Sequence, residues 1–203
     1  MPRNIIDCTR WLRGDGTSDA AEFLDFESGD SRSDTARRTA LRIPAGSGTY
    51  IVGQAFADID GASLSELDVA SFFGEGVVAK FNFAGAGMVT EEHLQTGVGQ
   101  LVRPGDILLM ANIGDREGAP LLSSGATQWI INQGVKLVGF DESFAIEQSG
   151  SQANHRRLLG AGIGVIHNLI NLDRTSGRRV AVMALPLALL GTASAPCRVV
   201  VID

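Results

Sequence analysis

Two short apolar runs, Ile107–Met110 and Val135–Phe140, flank a segment whose apolar residues return at helical spacing, and this alternation constrains the chain most. Ile107–Met110 is nearly free of polar side chains, as a buried strand would be. Ser123–Gln133 puts Ala126, Trp129 and Ile130 on one helical face, and Gly134 supplies the stop. A helix around Ala153–Leu159 follows, then strands at Ile163–Ile166, Arg179–Leu187 and Arg198–Ile202. Upstream, Ile5–Cys8 and Gly76–Phe83 read as strands, as do Thr39–Ile43 and Thr49–Phe56, hinged at Pro44-Ala45-Gly46. Ser63 with Glu66 three residues on is a capping box that opens an expected helix reaching Phe73, with Gly74 as its stop. Thr90-Glu91-Glu92 opens another, its acidic residues at the positive end of the helix. Helices and strands alternate through the middle and strands dominate the end, which places the chain in the mixed α/β class.

Nothing in the pattern marks a linker or a repeat, so residues 1–203 are expected to fold as one domain. The stretch 13–38 is rich in Gly, Ser, Asp and Arg, with Phe23, Leu24 and Phe26 its only apolar cluster, and reads as a long loop. A formal net charge of -6 repels phosphate, which argues against a nucleic-acid partner. The N-terminus has no apolar signal region, and Val180–Leu190, interrupted by Pro186, is too short to cross a bilayer. A cytoplasmic protein without a membrane partner is expected. Cys8 and Cys197 lie near opposite ends of the chain and read as reduced, packed thiols rather than a bridge or a nucleophile.

The second half carries recognisable phrases. Leu101–Leu109 contains Gly105-Asp106-Ile107-Leu108-Leu109, and Gly134–Asp141 reads Gly-Val-Lys-Leu-Val-Gly-Phe-Asp. His155-Arg156-Arg157-Leu158-Leu159, Asn168–Leu172, Leu185-Pro186-Leu187 and Ser194–Arg198 follow, while Ile6-Asp7-Cys8-Thr9 stands at the front. In order and spacing these resemble the cyclase family that includes bacterial kynurenine formamidases. The resemblance implies that family's single-domain swivelling β/β/α fold, a small-molecule substrate, and a homodimer or higher homo-oligomer.

The family's metal signature is HxGTHxDxPxH, and the stretch resembling it runs from Gly46 to Phe56, registered by Gly48 and Thr49. Where the resemblance implies two ligand histidines the chain has Gly46 and Tyr50. Val52 replaces the ligand aspartate and Phe56 the final acid/base histidine. Downstream, the ligand histidine is His155, but the ligand glutamate is His167. Glycine, valine and phenylalanine donate nothing to a cation, and a phenol titrating near ~10 is a poor ligand at neutral pH. The resemblance therefore leads to the expectation of no metal and no other cofactor.

A different chemistry remains open to these residues. His155, His167 and Tyr50 would converge where relatives hold the ion, as two imidazoles able to carry protons and a phenol able to donate to an oxyanion. Val52 and Phe56 would make the pocket drier and line it for substrate. Asp141, at a strand end, and Arg116, after another strand, are further candidates for substrate contact. This set suits cyclisation, dehydration or ring chemistry of a carbonyl compound. Plainer readings stand beside it: surface or capping roles for the histidines, space-filling for Tyr50, packing for Phe56 and a turn for Asp141. Two rival functions follow, a catalytically inactive relative that binds a ligand or partner, and a hydrolase whose metal has moved to Asp58, Asp60 and a histidine.

Overall fold

A strand of three residues closes the sheet into a barrel. The fold is given by a computed structural model that describes residues 4–12, 22–26, 38–114, 118–144, 152–177 and 179–203. In chain order the elements are β1 (Ile5–Asp7), β2 (Glu22–Phe26), β3 (Arg38–Arg42), β4 (Tyr50–Val52), β5 (Phe73–Phe81), β6 (Met88–Val89), α1 (Glu91–Val98), β7 (Ile107–Asn112) and β8 (Leu121–Leu122). Then come α2 (Ser124–Gln133), β9 (Leu137–Asp141), α3 (Gln152–Gly160), β10 (Gly164–Leu169), β11 (Arg179–Pro186) and β12 (Ser194–Ile202). The strands run in the order β12, β11, β5, β7, β9, β10, β4, and β4 pairs back onto β12 to close a seven-strand ring.

The parallel part, β5–β7–β9–β10, comes from crossovers through α1, α2 and α3. Such crossovers leave helices on one face of the sheet, so these strands need apolar residues on both sides. The sequence complies. Along β7, Leu108 and Met110 pack with Leu94 of α1, Ile130 of α2 and Leu158 of α3, whereas Ile107 and Leu109 join Val78, Leu137, Ile166 and Val199 inside the ring. The interior is tight enough that β9 carries Gly139, where an added Cβ would lie 2.6 Å from Leu109 and 2.7 Å from Leu169. The expected mixed α/β single-domain class is what the molecule adopts.

The gap between β10 and β12 is filled from two ends. β4 pairs antiparallel with both strands at one end, through Tyr50↔His167 and Tyr50↔Pro196. At the other, β1 runs along β12, and Thr9 bridges to Leu169.

Three expectations are corrected. Ser63–Phe73 is not one helix but two 3-10 turns, Leu64–Glu66 and Val69–Phe72. The capping box at Ser63 and Glu66 is present, yet Leu67 is extended and Asp68 caps anew by accepting from Ala70 N at 2.8 Å. Two successive caps break the helical run. Thr49–Phe56 supplies strand only at Tyr50–Val52, and Gln54–Phe56 is a 3-10 turn. Within the expected loop 13–38, Glu22–Phe26 is a strand paired antiparallel with Arg38–Arg42. Its apolar cluster was the overlooked signal. Residues 13–21 and 27–37 of that stretch lie outside the described residues. No described helix is long and apolar enough to cross a membrane.

At the edge of the parallel sheet, Arg179 of β11 grips Asp106 at the entry to β7 with a two-point ion pair of 2.7 and 3.1 Å. Asp106 is buried and also accepts from Arg103 N at 2.8 Å. Removing one partner strands the other charge and its desolvated donors. Asp106→Ala is expected to lower unfolding free energy by about 3 kcal/mol in chemical denaturation, and a loss under 1 kcal/mol contradicts this role.

Candidate functional site

His155 sits on α3 and His167 on β10, elements adjacent in the chain and packed together. Along β10, Val165 faces the helices and Ile166 faces the ring, so His167 shares the helical side with Val165. The register sets Tyr50 directly opposite His167, and the rings stack with centroids 4.7 Å apart and planes within 10°. From the helix side, His155 brings its Nε2 within 3.3 Å of His167 Nε2, the rings edge-on at 84°. Phe56 tilts over His155 at 5.8 Å. The structure thus brings together Tyr50, His155, His167 and Phe56.

His155, His167 and Tyr50 are 3%, 5% and 7% exposed, while Phe56 is 54% exposed and forms the outer edge of the group. A hydrogen bond between two Nε2 atoms needs a proton on one and a lone pair on the other. Burial pushes the pKa of His167 down to about 3, with the neighbouring imidazole of His155 adding to the effect. His167 is therefore neutral near pH 7.

The other candidates are placed elsewhere. Val52 is fully buried opposite Val165 in the packed layer beneath the helices and offers no surface to a ligand. Asp141 lies on the other face of β9 from Phe140. It accepts from Asn112 N at 3.1 Å and from Ser143 N and Oγ, and lines a cavity of about 140 Å³ with Asn171 and Asp173. It serves a turn there, apart from the histidine pair. Arg116 and Asp115 lie outside the described residues. Cys8 and Cys197 are free and buried, and burial pushes both thiols up to about 12, so neither is a thiolate at neutral pH.

Sequence reasoning passed over the supports of this site. Thr49 Oγ1 donates to Asn168 O at 2.8 Å and accepts from Arg10 N at 2.7 Å. Asn168 Nδ2 donates to Gly48 O at 2.9 Å. Asn168 has φ 58° and sits in the bulge where the β9–β10 register shifts. Asparagine tolerates that left-handed conformation better than most residues, which was the available signal.

The donor set can be tested against the divalent ion that the family resemblance implies. Two imidazole nitrogens 3.3 Å apart suit one edge of a tetrahedron around zinc. The remaining corners lack donors: Gly46 has no side chain, and a Cβ there would already lie 3.7 Å from the Tyr50 ring. Catalytic zinc takes three protein ligands, and among the described residues no three His, Cys, Asp or Glu side chains cluster so as to hold a metal. Asp58 and Asp60 are exposed turn residues, Asp58 accepting from Asp60 N at 3.1 Å, and His93 caps α1 through Thr90. The described residues do not fit a catalytic ion.

No curated protein matches the chain. Solved structures do. A protein described as a potential metal-dependent hydrolase with cyclase activity is 19% identical, with a TM-score of 0.76 over 100% of this chain and 98% of that one. A predicted metal-dependent hydrolase from Bacillus stearothermophilus is 18% identical, with a TM-score of 0.76 over 100% of both chains. Isatin hydrolase A from Labrenzia aggregata, bound to benzyl benzoate, is 17% identical, with a TM-score of 0.80 over 98% of this chain and 93% of that one. At such identities the likeness speaks for the fold. The sequence itself speaks for the family: residues 6–146 match the model of the Cyclase family, described as "Putative cyclase". With that match spanning most of its length, and the barrel shared with those structures, this chain belongs to the Cyclase family.

Proposed function

We propose that this Cyclase-family chain is a metal-independent enzyme acting on a small carbonyl-containing metabolite, through acid–base chemistry at the His155–His167 pair. The observation that carries the reading is the 3.3 Å contact between the two Nε2 atoms beneath Tyr50. The reading assigns different tasks to the two imidazoles. A group whose pKa is about 3 is a feeble base at neutral pH, so His167 is the positioning residue and fixes the tautomer of His155. His155 is the proton carrier. Tyr50, flat against His167, supplies the phenol that steadies an oxyanion as the carbonyl is attacked or enolised. Phe56 shields the site and presents a ring to an apolar part of the substrate. Ring opening of a lactone or cyclic amide fits this set when His155 takes a proton from a water that bonds to the carbonyl carbon and returns it to the ring oxygen or nitrogen as that bond breaks, and ring closure is the reverse with water released. The similar structures include an isatin hydrolase, which makes small cyclic amides the first probes.

A second reading has its own support. The three polar rings are nearly fully buried, as expected of a pocket that holds a ligand or merely replaces an ion with packed rings. The two readings part on turnover. With a responsive cyclic carbonyl probe, His155→Ala is expected to lower kcat/KM by about 100- to 10,000-fold, the usual worth of a general acid or base. A folded His155→Ala variant with unchanged turnover defeats the proposal. The reading also predicts that activity survives exhaustive chelation and that metal content by elemental analysis stays well below one ion per chain. One tightly held zinc or manganese ion whose removal abolishes turnover overturns it.

Burial of His167 gives a pH dependence of stability. Its pKa is 6.5 when unfolded and about 3 when folded, so the unfolded chain takes up a proton first as pH falls. Stability from this residue is intact above pH 6.5 and declines between about 6.5 and 3, by on the order of 3–5 kcal/mol in all. In urea titrations across that window, His167→Gln is expected to flatten the decline. Identical pH slopes in the two proteins contradict a neutral buried His167.

A further inference from the structure

A cavity of about 750 Å³ lies between β5 and α1, within the size range of sites that hold small molecules. None of Tyr50, Phe56, His155 or His167 lines it, and β7 and β9 stand between β5 and the strand that carries His167. Aromatic rings form one wall. Phe81 and Phe83 stack with centroids 5.8 Å apart, and the rings of Phe83 and His93 meet edge to face at 5.5 Å. Such a wall suits a flat ring, which can add a further stacked or edge-on contact.

Gly97, on the helix side of the cavity, has no structural cause of its own. It lies within α1, four residues after His93 and on the same face. Glycine weakens a helix interior relative to alanine. Packing does not demand it, because a Cβ there would meet no heavy atom within 4 Å. Nor does the backbone, since Gly97 is not among the residues with positive φ. A side chain at this position would take up room in the cavity beside His93, and glycine leaves that room open.

Two donors complete the lining. Lys80 Nζ donates to Asp173 O at 3.0 Å and Thr175 O at 2.6 Å, which leaves the ammonium a third N–H. Both acceptors are carbonyls, so no described carboxylate pairs directly with this charge; nearby Asp203 accepts instead from Ser176 and Gly177. His93 Nδ1 accepts from Thr90 N at 3.1 Å. A ring nitrogen that accepts from an amide carries no proton there, so the N–H of the imidazole is at Nε2. Glu92 borders the same cavity from an exposed position and opposes a second negative charge.

We propose that this cavity is a binding site, separate from the histidine pair, for a flat aromatic molecule bearing one carboxylate. The ring lies against Phe81, Phe83 and His93 in the space that Gly97 keeps open, and the carboxylate faces Lys80. Isothermal titration calorimetry with 2-naphthoate tests this. The native protein is expected to bind it saturably, and to bind cyclohexanecarboxylate or 2-naphthyl phosphate roughly 10-fold more weakly or worse. Gly97→Leu sends a side chain into empty space, so it is expected to fold, as checked by circular dichroism, and to lose binding. Lys80→Met, which keeps the alkyl stem, is expected to weaken binding roughly 10-fold or more. His155→Ala is expected to bind 2-naphthoate as the native protein does, which makes the result independent of the reaction proposed above. Absence of saturable binding at millimolar ligand overturns the proposal. So does unchanged affinity in folded Gly97→Leu or Lys80→Met, or binding lost in His155→Ala.

Discussion

The structure depends on the double pairing of β4. Three residues, Tyr50–Val52, bond to β10 on one side and β12 on the other, joining the parallel half of the sheet to the antiparallel half. Without that join the sheet has two open edges and the interior cluster loses a wall. Ile51 turns inward to the core, and Tyr50 turns outward to His167. One short segment thus closes the barrel and roofs the site. Its placement is reinforced by Thr49 and Gly48, tied by side-chain bonds to the bulge at Asn168, and by Cys197 N donating to Thr49 O at 3.0 Å.

Electrostatically, the site is arranged around neutrality. Two imidazoles in contact cannot both carry charge while buried, because each would meet desolvation and the other's repulsion. Tyr50 stacks on one ring and Phe56 leans on the other, so hydrocarbon replaces water around the pair. A water-poor setting strengthens a hydrogen bond to a developing oxyanion and slows exchange of protons with solvent. The same dryness explains why Cys8 and Cys197, also buried, are inert thiols rather than competing nucleophiles.

Much of this was legible in the sequence. The runs at Ile107–Met110 and Val135–Phe140 became β7 and β9 because a strand buried on both faces must be apolar throughout. The family phrases brought His155 and His167 to one place, and the structure puts them in contact. Closure of the barrel was not legible, since β4 is too short to show a period and its pairing spans more than a hundred residues. The break at Leu67 was hidden because Ser63 and Asp68 both cap well, and local propensity does not say which cap ends the run. Position alone suggests Val52 and Asp141 as substrate contacts. Packing put Val52 out of reach, and strand alternation turned Asp141 to another face.

The position of Tyr50 has a historical consequence. Because its ring lies on His167 while its backbone holds the two halves of the barrel together, novelty at this residue is constrained by architecture. A replacement here must keep the extended backbone that bonds to both neighbouring strands, and a ring is what preserves the stack on His167. Neighbouring positions such as 46, where an atom more or less touches only the ring, are freer to drift. Measured against the signature this chain resembles, side chains have been exchanged within the seam, at Tyr50 and Val52, as well as beside it, at Gly46 and Phe56, while the backbone pairing that closes the barrel is kept.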